Sequence, residues 1–152
     1  MDKILKQVEI KNRRASFDYI FLEKFIAGIV LTGSEIKSIR QGKASLSDAY
    51  CMINNGEVFI RNLQITEYEK AKNYGHEPLR ERKLLLTNHE ISKLEKKLKD
   101  QGLTVIPLRI FTSERGWAKL EIALAKGKKT FDKREDIKAK DVKRELDRKL
   151  KK

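Results

Sequence analysis

The chain has 152 residues, a net charge of +13 at pH 7 and a pI near 9.8, which suits one domain with an appended tail and implies an acidic partner, nucleic acid first. Its one cysteine, Cys51, excludes an internal disulfide and a cysteine-based zinc site, as a reducing cytosol would suit. No apolar run approaches the ~18 residues of a membrane span, and the N-terminal MDKILKQVEIKNRR has no secretion-signal core, so a cytoplasmic protein without membrane contact is expected.

Residues 1–11 alternate loosely and read as flexible at their start. Asn12 is followed by Arg13 and Arg14, two guanidinium groups that can grip phosphate. From 16 to 22 the aromatics Phe17, Tyr19 and Phe21 recur with a period of two, and Glu23-Lys24 separates them from the apolar run 25–31. Two paired strands are predicted here. Tyr19 reads as a core aromatic, with base stacking as its second reading.

The stretch GIVLTGSEIKSIRQGKASLSDAY at 28–50 marks each of its boundaries with turn or cap chemistry. Thr32 and Glu35 have the spacing of a capping box, and Leu31 and Ile36 that of a hydrophobic staple, so a two-turn helix starts here. Ile36 and Ile39 share its inner face, which leaves Lys37 and Arg40 turned outward before Gly42 ends the helix and Lys43 follows. Runs at 49–53 and 58–63 flank Asn54-Asn55-Gly56-Glu57, the pattern of a tight hairpin.

Residues 67–75, polar with Tyr68 and Tyr74, lead into 76–83 as a long surface loop, in which Arg80, Arg82 and Lys83 form a second basic cluster. After the apolar run 84–86, Thr87 and Glu90 repeat the capping box. A second helix follows, with Ile91, Leu94 and Leu98 on its buried side and Gly102 at its end. Segments 103–111 and 117–125 complete the strands. The second sets Trp117, Leu120, Ile122 and Leu124 beside Lys119, Glu121 and Ala123.

From Lys126 the composition changes. Residues 126–152 carry thirteen Lys or Arg against six Asp or Glu, more than half of the net charge. Asp132 is placed to cap a helix with Glu135 at its third position, and Val142, Leu146 and Leu150 repeat every four residues. One narrow apolar line on a short helix is unstable alone, so this tail is expected to be disordered or only partly helical when free and helical when bound. The expected division is therefore a body at 1–125 and a basic tail at 126–152.

Nothing in the pattern supplies catalysis. His76 and His89 have no matched acid or nucleophile, Cys51 reads as a small core residue, and Gly42-Lys43 and Gly127-Lys128-Lys129 lack a phosphate-loop frame. A non-enzymatic protein without metal or cofactor is expected, its function carried by the basic clusters.

Three motifs carry a family resemblance: the 28–50 stretch above, RKLLL at 82–86, and GKKTFDKRED at 127–136. Together they resemble the SsrA-binding proteins (small protein B), the bacterial partners of transfer-messenger RNA. By periodicity alone the chain is α+β, mainly β, with six strands or slightly more, mostly antiparallel. The resemblance implies a small oligonucleotide-binding-like barrel with two flanking helices. It also implies an adaptor that grips the tRNA-like domain of transfer-messenger RNA, delivers it to stalled ribosomes for trans-translation, and lays its tail in the decoding centre and messenger channel. Position by position, Asn12, Leu85 and Lys119 match residues that face RNA. Gly127, Phe131, Asp132, Lys133 and Arg134 match the tail's functional motif, with Gly127 read as a backbone hinge. Arg13, Tyr19, Lys37, Arg40, Lys43, Arg80, Arg82, Lys83, Lys126, Lys128 and Lys129 are added as neighbouring RNA contacts, on a protein expected to be monomeric. The residue before Ala27-Gly28, usually acidic in the family, is Ile26 here, so a carboxylate contact to RNA is missing. A structural ribosomal protein bound to ribosomal RNA is the alternative, and an RNA-modifying enzyme a distant third.

Overall fold

The computed structural model describes residues 7–68, 76–100 and 102–150, of which 130–132, 136, 149 and 150 by their backbone alone. Among the described residues nine strands and four helices follow one another: β1 (Glu9–Lys11), α1 (Ala15–Asp18), β2 (Tyr19–Ile29), α2 (Gly33–Arg40), β3 (Ala44–Ser45), β4 (Tyr50–Asn54), β5 (Glu57–Arg61), β6 (Gln64–Ile65), β7 (Arg82–Leu85), α3 (Asn88–Lys97), β8 (Leu103–Thr112), β9 (Ala118–Gly127) and α4 (Thr130–Leu150).

Alternation of apolar and polar residues dictates how these strands close. The main sheet runs β1-β8-β4-β5-β7-β2-β9, and β9 pairs back onto β8. Six antiparallel strands thereby form a ring of the oligonucleotide-binding-like kind, with β1 added along the β8 edge. A sheet closed on itself leaves few unpaired edges. Its interior holds Phe25, Ala27, Val58, Ile60, Leu84, Val105, Ile110, Leu120, Ile122 and Leu124, and Ile39 from α2 and Leu94 from α3 join the same core. Burying one such Leu or Ile contributes about 1.5–3 kcal/mol.

Both predicted capping boxes are present. Thr32 accepts from the Glu35 amide while the Glu35 carboxylate accepts from the Thr32 amide, and Thr87 and Glu90 do the same. Gly42 adopts a φ of +75° after α2. In the β4–β5 turn, Asn55 and Gly56 have φ of 52° and 75°, the two positive values a type I′ hairpin requires. Asn tolerates this region and Gly enters it freely.

The N-terminal third departs from the expected pair of strands. Residues 15–18 form the single-turn α1, and 19–29 run as one strand with a register shift between Phe21 and Glu23. The extra residue at the bulge switches the faces: Phe21, opposite Ala125, packs on the outer side, whereas Phe25, opposite Ile122, faces the barrel interior, so one alternation in sequence serves two sides of the sheet. α1 lies over the outer face of β8 and β9, where Ala15, Ile106, Leu108, Ala123 and Ala125 make a second small core with Tyr19 and Phe21 packed on it. Burial on both faces is why β9 reads as the nearly unbroken apolar run Ile122 to Ala125.

Candidate nucleic-acid interface

The outer face around β2 gathers several of the predicted contacts. Gly28 on β2 lies opposite Leu85 of β7 on one side and Lys119 of β9 on the other. Leu85 is 53% exposed, Ile26 and Val30 each 45%, and Lys119 is exposed between the buried Ala118 and Leu120. On the far side Lys119 opposes Phe111, which carries the Arg109 guanidinium 4.2 Å from its ring centroid. Cations beside half-exposed apolar groups on a rigid sheet are what a folded RNA needs, because phosphates, 2′-hydroxyls and unstacked bases are its readable features. Ile26 opposes Glu121 across the strands, and that carboxylate is bound to Arg109 at 3.3 Å. A negative charge thus survives near the position where the acidic residue is absent.

Helix α2 adds a second group of cations. Lys37 and Arg40 point outward as its amphipathic pattern dictates; Lys37 sits 5.4 Å over the Tyr68 ring, and Arg40 Nη2 donates to the Gly116 carbonyl at 3.2 Å. Lys43 is exposed beyond it. Arg13 is exposed, whereas Asn12 is half-buried and already employed: its Nδ2 donates to the Pro107 carbonyl at 2.9 Å and its amide to Leu108 at 2.8 Å. These two bonds tie the end of β1 to β8, where its register shifts between Pro107 and Arg109. Tyr19 is half-buried against the second core, so its first reading, as a core aromatic, is the one observed.

The basic cluster at 80–83 is not one surface patch. Arg82 is wholly buried, and its guanidinium is paired with the equally buried Glu35 of α2 and donates to the carbonyls of Leu63 at 2.7 Å and Arg80 at 2.9 Å. Arg82 therefore cannot face RNA. Arg80 Nη2 donates to the other Glu35 oxygen at 2.7 Å and to the Val30 carbonyl at 3.3 Å, so this side chain, 37% exposed, is a bracket first. Only Lys83 of the three points outward, 3.3 Å from Glu57. Burial alone would raise the Glu35 pKa; hydrogen bonds from Arg80, from the Thr32 amide and from Arg82, with the Arg82 charge, outweigh it and hold the carboxyl below its ordinary value.

His76 likewise departs from the surface position expected for it. It is buried, with Nε2 donating to the Ile65 carbonyl at 2.9 Å and Nδ1 lying 2.8 Å from Ser34 Oγ. The loop residues 69–75, with Tyr74, lie outside the described residues. Among the described residues no three His, Cys, Asp or Glu are grouped to hold a metal, and no helix is long and apolar enough to cross a membrane.

At the C-terminal end, Gly127 is the last residue of β9, paired with Tyr19, and its φ is not positive; a Cβ added there meets nothing within 4 Å. The strand therefore ends in backbone that does not itself require glycine, and no side chain packs on Gly127. Lys126 and Lys129 are exposed and Lys128 is half-buried, its amide donating to the Asp18 carbonyl at 2.8 Å. α4 begins at Thr130, with the Lys133 amide bonded to the Lys129 carbonyl, so Asp132 lies in the first turn and not at the cap. An acid there still meets the positive end of the helix dipole. Of Phe131 and Asp132 only the backbone is described. Lys133 reaches back to Asp18 at 3.3 Å and stands 5.7 Å over the Phe17 ring, while Arg134 is exposed. Ile137, Val142 and Leu146 are about half exposed, while Lys140 as well as Lys133 lies over the Phe17 ring of α1.

The chain matches the family model described as "SmpB protein" over residues 9–152. The chain belongs to the SmpB family. Its SmpB relatives include the SsrA-binding protein of Cytophaga hutchinsonii, 58% identical over 96% of this chain and 95% of that protein, and that of Christiangramia forsetii, 53% identical over 93% and 90%. A solved chain from work described as "tmRNA-SmpB: a journey to the center of the bacterial ribosome" superimposes with a TM-score of 0.68 at 44% identity, covering 80% of this chain and 85% of that one. The SmpB match spans the barrel and the tail, so both belong to one family pattern.

Two features escaped the sequence reading. The Phe17–Asp18 anchor for α4 lay inside a segment read as strand, and nothing in its period of two revealed the turn of helix. Trp117 was grouped with the apolar residues of β9, yet its odd number sets it with Lys119 and not with Leu120 and Ile122. Parity could have found it.

Proposed function

We propose that this chain is an RNA-binding adaptor of trans-translation, holding the tRNA-like domain of transfer-messenger RNA on its barrel and carrying it to stalled ribosomes in the cytoplasm. The observation that carries this reading is the SmpB family match through both barrel and tail, joined to the outer face where Gly28, Leu85 and Lys119 lie side by side. The body contacts assigned are Asn12, Arg13, Lys37, Arg40, Lys43, Lys83, Leu85 and Lys119. Lys126, Lys128 and Lys129 lead from them into the tail, where Gly127, Phe131, Asp132, Lys133 and Arg134 serve the ribosome. A rigid barrel recognises RNA by shape and charge, and a separate cationic helix engages the ribosomal RNA of the messenger channel. No chemistry on a substrate is required, and the protein acts as a monomer.

Purification from growing cells and sequencing of the bound RNA tests the reading. Recovery of one small stable RNA with a tRNA-like end, at less than one copy of protein per ribosome, is expected. Recovery at one copy per ribosome, without that RNA, would instead identify a structural ribosomal protein.

A further inference from the structure

The most exposed large apolar side chain among the described residues is Trp117, at 69%, and it is the sole tryptophan of the chain. Its backbone is not loose. In the β8–β9 turn the Trp117 carbonyl accepts from the Ser113 amide at 2.9 Å, and its amide donates to Ser113 Oγ at 3.2 Å. The Gly116 amide donates to the Ser113 carbonyl at 2.9 Å, Gly116 takes a φ of +84°, and Arg40 from α2 clasps the Gly116 carbonyl from the side. An indole held on so bracketed a turn, with no ring contact among the described residues, keeps a large apolar plane in water. Trp117 and Lys119, two residues on, are both exposed with Ala118 buried between them, and Lys119 has Gly28 and Phe111 as its sheet neighbours. An exposed cation, Arg40, reaches the turn itself, and Lys37 is exposed one helical turn earlier on the same helix.

We infer that Trp117 is a base-stacking residue: it takes one unpaired nucleobase from a loop of the folded RNA while Lys119, Arg40 and Lys37 hold the phosphates on either side. The inference rests on the adaptor reading above and adds to it a residue and a kind of contact. Single bases splayed from folded RNA are recognised by stacking on aromatic side chains, and every base offers a π-face, so the contact needs no sequence code. The cations around the indole favour a polyanion over an apolar protein surface as its occupant.

The single tryptophan makes the test direct. The full-length protein is titrated with a transcript of the tRNA-like domain, binding being followed independently by anisotropy of the labelled RNA. Trp117 fluorescence should be quenched in step with binding and become shielded from acrylamide. Trp117→Ala should weaken binding roughly 5- to 150-fold, the equivalent of about 1–3 kcal/mol per stacked base, with an unchanged salt slope. Trp117→Phe, which keeps a ring, should restore most of the affinity and guards against a folding artefact. RNA binding with unaltered fluorescence, or with Trp117→Ala as tight as wild type, overturns the inference. Quenching that appears only when ribosomes are added overturns it too, in favour of a ribosomal contact. If anisotropy shows no binding, the adaptor reading itself fails and this inference with it.

Discussion

Arg82 and Glu35 meet as a salt bridge inside the protein, both side chains at 0% exposure, with Arg82 on β7 and Glu35 in the capping box of α2. One carboxylate therefore starts a helix and neutralises the guanidinium that gathers the carbonyls of Leu63, Pro78 and Arg80. Glu35→Ala strands the buried Arg82 guanidinium, and Arg82→Ala leaves the buried carboxylate with Arg80 alone, so either should cost about 3–5 kcal/mol. Arg82→Lys should rescue little, because an ammonium cannot reproduce the planar fork. Urea unfolding checks both, and an Arg82→Ala protein of wild-type stability would refute the assignment.

The same carboxylate sets an acid limit. Its folded pKa lies below the ordinary 4.5, so its ionised form contributes stability above that value and the contribution is lost as pH falls through the folded pKa. Stability measured from pH 6 down to pH 3 should decline most steeply below pH 4.5. Glu35→Gln should be weaker at neutral pH and show a shallower decline.

Lys119→Ala should weaken binding of the tRNA-like RNA and reduce the slope of log affinity against log salt by about 0.7–0.9. Its exposed side chain leaves the melting temperature nearly unchanged. A large drop in melting temperature would instead make Lys119 a residue of the fold.

Truncation after Lys129 should leave RNA affinity close to wild type and abolish tagging on stalled ribosomes. Asp18→Asn combined with Phe17→Ala removes the Lys133 ion pair and the ring beneath Lys133 and Lys140. Exposed pairs of this kind are worth about 0–1 kcal/mol, so amide exchange should quicken in the first turns of α4 while the barrel strands stay protected. Unchanged exchange there would show that α1 does not hold the tail.

Cys51 is 6% exposed, and burial pushes its thiol well above the ordinary range. A water-soluble thiol reagent should therefore react with the native protein only as fast as it unfolds.

Both capping boxes, the Asn55-Gly56 hairpin and the last two strands were legible because each rests on interactions within a few residues. What depends on partners far away was not. Arg82 looked like a surface cation because its carboxylate lies 47 residues earlier in the chain, although the alternation with buried Leu84 already set it on the inner face. Asn12 resembled an RNA contact without any hint that β8, almost a hundred residues on, uses its amide. The helix α4 starts three residues earlier than the Asp132 cap suggested by the sequence would place it, since a Lys-rich entry offers no cap signal at Lys129. Along the outer sheet the pattern served well, and Leu85 and Lys119 are exposed as strand parity requires.

Closure of the ring also dictates when this protein can fold. β1 has β8 as its sheet partner, β4 needs β8 on its open side, and β2 waits for β9. Until residue 112 has been synthesised the earlier strands can form only the β4-β5-β7-β2 sheet, and until residue 127 the ring stays open between β2 and β8, with two raw edges and an uncovered apolar face. Such long-range pairing folds slowly, and open edges invite pairing with other chains. A growing chain of this protein is therefore most vulnerable to aggregation shortly before it is finished, and the charged residues that follow β9 are made just as the last seam zips shut.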